Sequence, residues 1–98
     1  MQRDAIVQKL KTLRPDLSAE GVTHVALFGS RARGDYSEKS DLDLLLEVDP
    51  ASRFSILNLV GVERIVEQAL GIQTNAFMRR SLDDGFRDSI KNDVVEIF

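Results

Sequence analysis

The side chains best placed to do chemistry together lie in one window, FGSRARGDYSEKSDLDLLLE, residues 28–47. Its second half carries Asp41-Leu42-Asp43. On a strand, side chains two apart point the same way, with Cα atoms roughly 6.5–7 Å apart. Two carboxylates so placed can converge on a hard cation such as Mg²⁺, which shares its shell with water and phosphates. Two such ions about 3.5–4 Å apart suit in-line phosphoryl or nucleotidyl displacement. A strand with one solvated polar face would give the same pattern, and Glu47 on that face agrees with it. Against that reading, aspartate is a poor strand former, and two like charges side by side are unfavourable without a cation.

The first half carries Gly29-Ser30. Glycine lets backbone approach a ligand closely, and a short helix starting at Ser30 would aim free N–H groups outward. With the serine hydroxyl they can cradle phosphate oxygens. Arg31 and Arg33 add positive charge and forked donors. An ordinary capped strand-to-helix turn has the same residues. Neither GxxxxGK[ST] nor GxGxxG occurs, so the Walker loop and the dinucleotide fingerprint are absent.

Joined, the halves are a phosphate cradle facing a metal pair. The window resembles the nucleotidyltransferase superfamily that includes DNA polymerase beta, whose motif is Gly-Ser, a gap, then Asp-x-Asp. GSRARG followed by SDLDLLLE is similar to its minimal nucleotidyltransferase (MNT) subfamily. The diagnostic part is residues 29–43. The resemblance implies that Gly29 and Ser30 hold the nucleotide triphosphate, and that Arg31 or Arg33 supports the phosphates or the turn. It implies further that Ser40 ties down the loop and that Asp41 and Asp43 ligate Mg²⁺, as a two-ion site or with one ion only. The implied reaction moves AMP from ATP to a hydroxyl. The implied partner is a HEPN-domain toxin, with this chain as its antitoxin.

One position departs from that pattern. Active members carry a third acidic residue on a later strand, and here Asn75 falls where it is expected. An amide oxygen can ligate a cation but is neutral and cannot act as a general base. Glu47 is four residues beyond Asp43, roughly 13 Å along a strand, too far to join the same metals. Asp83 and Asp84 could fold back only irregularly, and they fit a helix N-terminus. Two alternatives therefore stand: a working protein adenylyltransferase, or a degenerate member that binds nucleotide weakly and blocks its partner by contact. Modification of a small molecule, as by aminoglycoside nucleotidyltransferases, ranks below both, because a second domain for a drug pocket is missing.

The elements that must position these residues can be read from periodicity. Ala5, Ile6, Leu10 and Leu13 predict a helix over 2–14, limited by Pro15, with Leu17 to Gly21 as a connection. Val22–Phe28 predicts a buried strand and Asp41–Val48 a second, with Leu42, Leu44, Leu46 and Val48 on one face. The short 29–40 connection makes these two antiparallel neighbours. A long helix over 52–70 ends at Gly71, its apolar stripe mostly core. Residues 72–77 predict a third strand. Ser81 is placed to cap a helix over 82–92 with Phe86 and Ile90 inward. The fold class expected is α/β (α+β), a small mixed sheet of three to four strands flanked by helices, in one domain over 1–98.

Composition removes competing chemistries. With 98 residues and 43% hydrophobic side chains the chain is globular, with room for one modest core. It has no cysteine, which excludes disulfides, thiolate metal sites and cysteine nucleophiles, and fits a cytoplasmic setting. Its single histidine, His24, excludes a site needing two imidazoles and is expected to be a packed or boundary residue. No apolar run approaches the roughly 20 residues of a membrane span. The net charge of −3 argues against nucleic-acid binding by bulk charge. Tyr36 sits in the site loop, and Arg79-Arg80 is expected to be a solvated turn.

Overall fold

A computed structural model describes residues 1–98. The chain runs α1 (Arg3–Thr12), α2 (Arg14–Ala19), β1 (Val22–Phe28), α3 (Ser30–Arg33), β2 (Leu42–Val48), α4 (Ile56–Leu70), β3 (Thr74–Met78), a 3₁₀ turn at Arg79–Ser81, α5 (Asp84–Ile90) and β4 (Val95–Glu96). The sheet order is β3-β2-β1-β4. β1 is antiparallel to β2 and β4, while β2 and β3 are parallel. This is the mixed, helix-flanked sheet that the pattern predicts. The parallel pair needs a crossover, and α4 supplies it.

Alternation on β2 divides the molecule. Leu42, Leu44 and Leu46 point into the main core, where Ile6 and Leu10 of α1, Leu17 of α2 and Val62 and Val66 of α4 meet them without solvent contact. Asp43, Leu45 and Glu47 take the opposite face. There Ala26, Phe28, Leu45 and Ile90 form a smaller cluster beneath α5.

Several boundaries differ from the sequence reading, each for a physical reason. The helix expected over 2–14 is α1, and a second short helix, α2, follows it where a connection is expected. The chain turns at Leu13, and Pro15 sits in the first turn of α2, where its missing N–H costs nothing. The expected connection at Leu17 is helical because Leu17 is fully buried. α4 starts at Ile56, where Asn58 Oδ1 accepts from the Ser55 N–H at 3.0 Å. Its first turn leaves the chain surface, so Ile56 and Leu57 are exposed rather than core. Asp83, not Ser81, caps α5, accepting from the Phe86 N–H at 2.7 Å. Phe86 is also more exposed than expected, its ring edge-on to Phe28 at 6.0 Å. His24 keeps the alternation of Ala26 and Phe28, but that end of the face is uncovered and a bulge lies beside it. The ring is therefore exposed.

Candidate active site

Three adjacent strands bring the predicted residues to one end of the sheet. Phe28 pairs with Asp43 in the β1–β2 ladder, and Asp43 pairs with Asn75 in the β2–β3 ladder. Gly29, one residue past Phe28, has φ 81° and ψ −161°, a conformation that L side chains avoid. A Cβ there would lie 2.5 Å from Asp43 Oδ2. The Gly-Ser turn is thus pressed against the second aspartate, and only glycine permits the approach. Ser30 opens α3 at the point where helical N–H groups lack partners of their own.

The carboxylates converge. Asn75 Nδ2 donates to Asp41 Oδ2 at 3.0 Å and to Asp43 Oδ1 at 3.4 Å. Asp41 precedes β2 and Asp43 lies within it, both half-buried. Burial pushes the Asp43 carboxyl above the ordinary aspartate value, and the Asp41 charge adds to this. The Asn75 bond and the Arg33 charge oppose it. The amide therefore lies between the two carboxylates, offering hydrogens to both, as a cation held by the pair would offer charge. That donor set fits one small hard cation between Asp41 and Asp43. The third acidic group is missing: no cluster of three metal-capable side chains forms. Glu47 accepts from Arg79 at 3.1 Å, and Asp83 is engaged as a cap. Neither joins the aspartates.

The two arginines have different jobs. Arg31 is 3% exposed; its Nε donates to the Ser40 carbonyl at 3.0 Å, and Tyr36 lies under its guanidinium at 4.8 Å. It ties α3 to the residue before Asp41 and so supports the turn. Ser40 completes the loop, its Oγ accepting from the Ser37 N–H at 2.9 Å. Arg33 is exposed and bonded to Asp35 at 3.1 Å and Asp93 at 3.3 Å, which hold its pKa above the ordinary arginine value.

Two supports escape sequence reasoning. Arg3 of α1 donates to the Ala32 carbonyl at 3.1 Å, satisfying the end of the four-residue α3. On α4, Glu67 Oε2 accepts from the Thr74 N–H at 3.0 Å and Glu63 Oε2 from the Ala76 N–H at 2.9 Å. Four helical residues rise about 6 Å and two strand residues about 6.6 Å. The glutamates therefore match alternate amides on the open edge of β3 and fix the strand bearing Asn75. The i, i+4 glutamate pair is visible in sequence, but it reads there as helix surface. Arg79 is not a free turn either, since it bridges Glu47 and, at 2.9 Å, Glu96.

The geometry sets a Gly-Ser turn against an Asp-x-Asp pair, and comparison with known proteins gives the chain its family. Residues 5–97 match the nucleotidyltransferase domain family, and the chain belongs to it. Protein adenylyltransferase MntA of Thermococcus cleftensis is 31% identical over 77 residues, 79% of this chain and 76% of that protein. A solved candidate minimal nucleotidyltransferase superposes with a TM-score of 0.79 at 24% identity, covering 97% of this chain and 95% of that one. The MNT antitoxin complexed with the tri-AMPylated Shewanella oneidensis HEPN toxin gives a TM-score of 0.69 at 14% identity, covering 99% and 72%. These two structures share the fold.

Proposed function

We propose that this protein is a cytoplasmic protein adenylyltransferase that moves AMP from ATP to a hydroxyl of a HEPN-domain toxin and so acts as its antitoxin. The observation that carries the reading is the contact of the Gly29-Ser30 turn with Asp43, while Asp41 and Asp43 converge on one point. The names of the similar proteins support the acceptor class. Ser30 and the first amides of α3 would hold triphosphate oxygens. Asp41 and Asp43 would hold Mg²⁺, which when bound neutralises phosphate charge and orients the phosphoryl group. Arg31 keeps the loop and the carboxylates in register through Ser40. The acceptor oxygen forms a bond to the α-phosphorus, the bond to the β-phosphate breaks, and pyrophosphate leaves. The Asn75 amide cannot take the acceptor proton, so the proton leaves to water or to a group on the toxin.

Incubation with Mg²⁺, labelled ATP and a HEPN-domain protein from the same source tests this. Label is expected on the partner and is lost with Asp41→Asn or Asp43→Asn. A tight complex that never takes label would sink the transferase reading.

Asn75 favours a second reading, in which the domain binds nucleotide weakly and silences its partner by contact. A large gain of transfer in Asn75→Asp would show that the natural chain is impaired at that position.

A further inference from the structure

β2 carries more than the aspartates on its open face. About 7 Å beyond Asp43 comes Leu45, and about 13 Å beyond it comes Glu47. Here the sheet, the 3₁₀ turn and α5 enclose an open groove of about 600 Å³. Its floor is apolar, with Leu45, Leu82, Ile90 and Val94. Its rim is basic: Arg79, Arg80, Arg87 and Lys91, four of the chain's 13 basic residues. The one acidic wall residue, Glu47, is already paired with Arg79. Arg87 spends its guanidinium on the Arg79 carbonyl rather than on a carboxylate. Arg80 and Lys91 are exposed and enter no ion pair. The acids of α5 do not answer them: Asp83 caps its own helix, Asp93 binds Arg33, and Asp84 and Asp88 line no part of the groove. Between groove and carboxylates stand the part-exposed rings of Phe77 and Phe86, both against Phe28. The basic-rimmed groove and Asp43 therefore lie on one face of the sheet, with this aromatic cluster beside both, in a chain whose net charge is −3.

We propose that this groove docks the acceptor protein through an acidic, apolar-containing segment that lies along β2 and delivers its hydroxyl to Asp43. The inference rests on the protein-adenylyltransferase reading above. Charge complementarity selects the occupant. Apolar side chains fill the floor, and carboxylates two to four residues from the hydroxyl meet Arg80, Arg87 and Lys91. Rim charges of this kind set encounter rate and salt dependence more than final packing.

The test is titration of the full chain with a HEPN-domain protein from the same source, at low and physiological salt, for wild type and Arg80→Glu/Lys91→Glu. A second double variant, Lys11→Glu/Arg53→Glu, makes the same charge change away from the groove. The groove variant is expected to bind the partner at least about tenfold more weakly, with a flatter salt dependence, while its affinity for Mg·ATP is unchanged. The control variant is expected to bind as wild type does. Unchanged partner affinity, an equal loss in the control, or a loss of Mg·ATP affinity would each overturn the proposal. So would an effect confined to a single-stranded RNA probe, which would make the groove a nucleic-acid site. Binding is read without transfer. A wild type that binds through the groove yet moves no AMP refutes the transferase reading and leaves the docking surface standing. A wild type that does not bind the HEPN protein refutes the docking surface.

Discussion

Replacing Asn75 by aspartate should convert a metal-tolerant site into a metal-dependent one. The wild-type amide donates to Asp41 and Asp43 at 3.0 and 3.4 Å. Hydrogen bonds to charged groups contribute about 1.5–3 kcal/mol each, and the longer bond and the half-buried setting bring the pair to about 2–3 kcal/mol. Asn75→Asp removes both and sets a third negative charge beside two others. For a domain of this size, 1 kcal/mol moves Tm by about 4–8 °C. Without divalent ions at pH 8, the variant should therefore melt at least about 10 °C below wild type. Saturating Mg²⁺ should raise the variant far more than wild type, because three carboxylates then share the cation. The deficit without metal should also shrink towards pH 5. Asp43 already titrates above the ordinary aspartate value, so its protonation relieves the repulsion first. The assay is thermal unfolding by circular dichroism with EDTA or Mg²⁺ at both pH values. A variant as stable as wild type in EDTA, or an equal Mg²⁺ shift in both proteins, would refute the claim that Asn75 stands in for a cation.

Further outcomes follow from the geometry. Gly29→Ala should abolish Mg·ATP binding, measured by calorimetry, and cost about 1–3 kcal/mol of stability, since its Cβ would meet Asp43 Oδ2 at 2.5 Å on strained backbone. Arg31→Lys should lose much of the stability that Arg31→Ala loses, about 1–3 kcal/mol by denaturant unfolding, because a lysine has no Nε to reach Ser40 over Tyr36. Mg²⁺ affinity should fall on acidification from a pH above the ordinary aspartate value of 3.8, because protons compete at a carboxyl whose burial raises its pKa. In metal-free protein the linkage has the opposite sense. A raised folded-state pKa means Asp43 favours folding at low pH, an advantage lost as pH rises through that value, and Asp43→Asn should flatten this part of the stability profile. Glu63→Ala/Glu67→Ala should speed hydrogen exchange at the Thr74 and Ala76 amides specifically, with slower changes elsewhere in the sheet.

What the sequence disclosed follows from what kind of contact each feature depends on. Asp41, Asp43, Gly29 and the two antiparallel strands were legible because their signals are local: a period of two, a forced turn, a charge pair. Asn75 is singled out only by the family pattern that the window resembles, and its place opposite Asp43 is set by the parallel β2–β3 register, which spacing does not show. The division of labour between Arg31 and Arg33 was not legible, for both read simply as positive charge. Only the packing of α3 buries one against Ser40 and turns the other towards Asp35 and Asp93. The helix α2 is not legible because Leu17 takes its helix from the tertiary core, not from its neighbours. Arg3, Glu63 and Glu67 were missed for a deeper reason. Each satisfies a backbone group far away in sequence, and backbone groups leave no mark on residue type. The reactive side chains of this fold are therefore announced by spacing, while the groups that aim them are chosen by the orphan amides and carbonyls of short elements. A four-residue helix and an edge strand have few internal bonds to spare. Here that need places Arg3 and two glutamates behind the site, so substitutions outside the 28–47 window should disturb its geometry without touching a reacting atom.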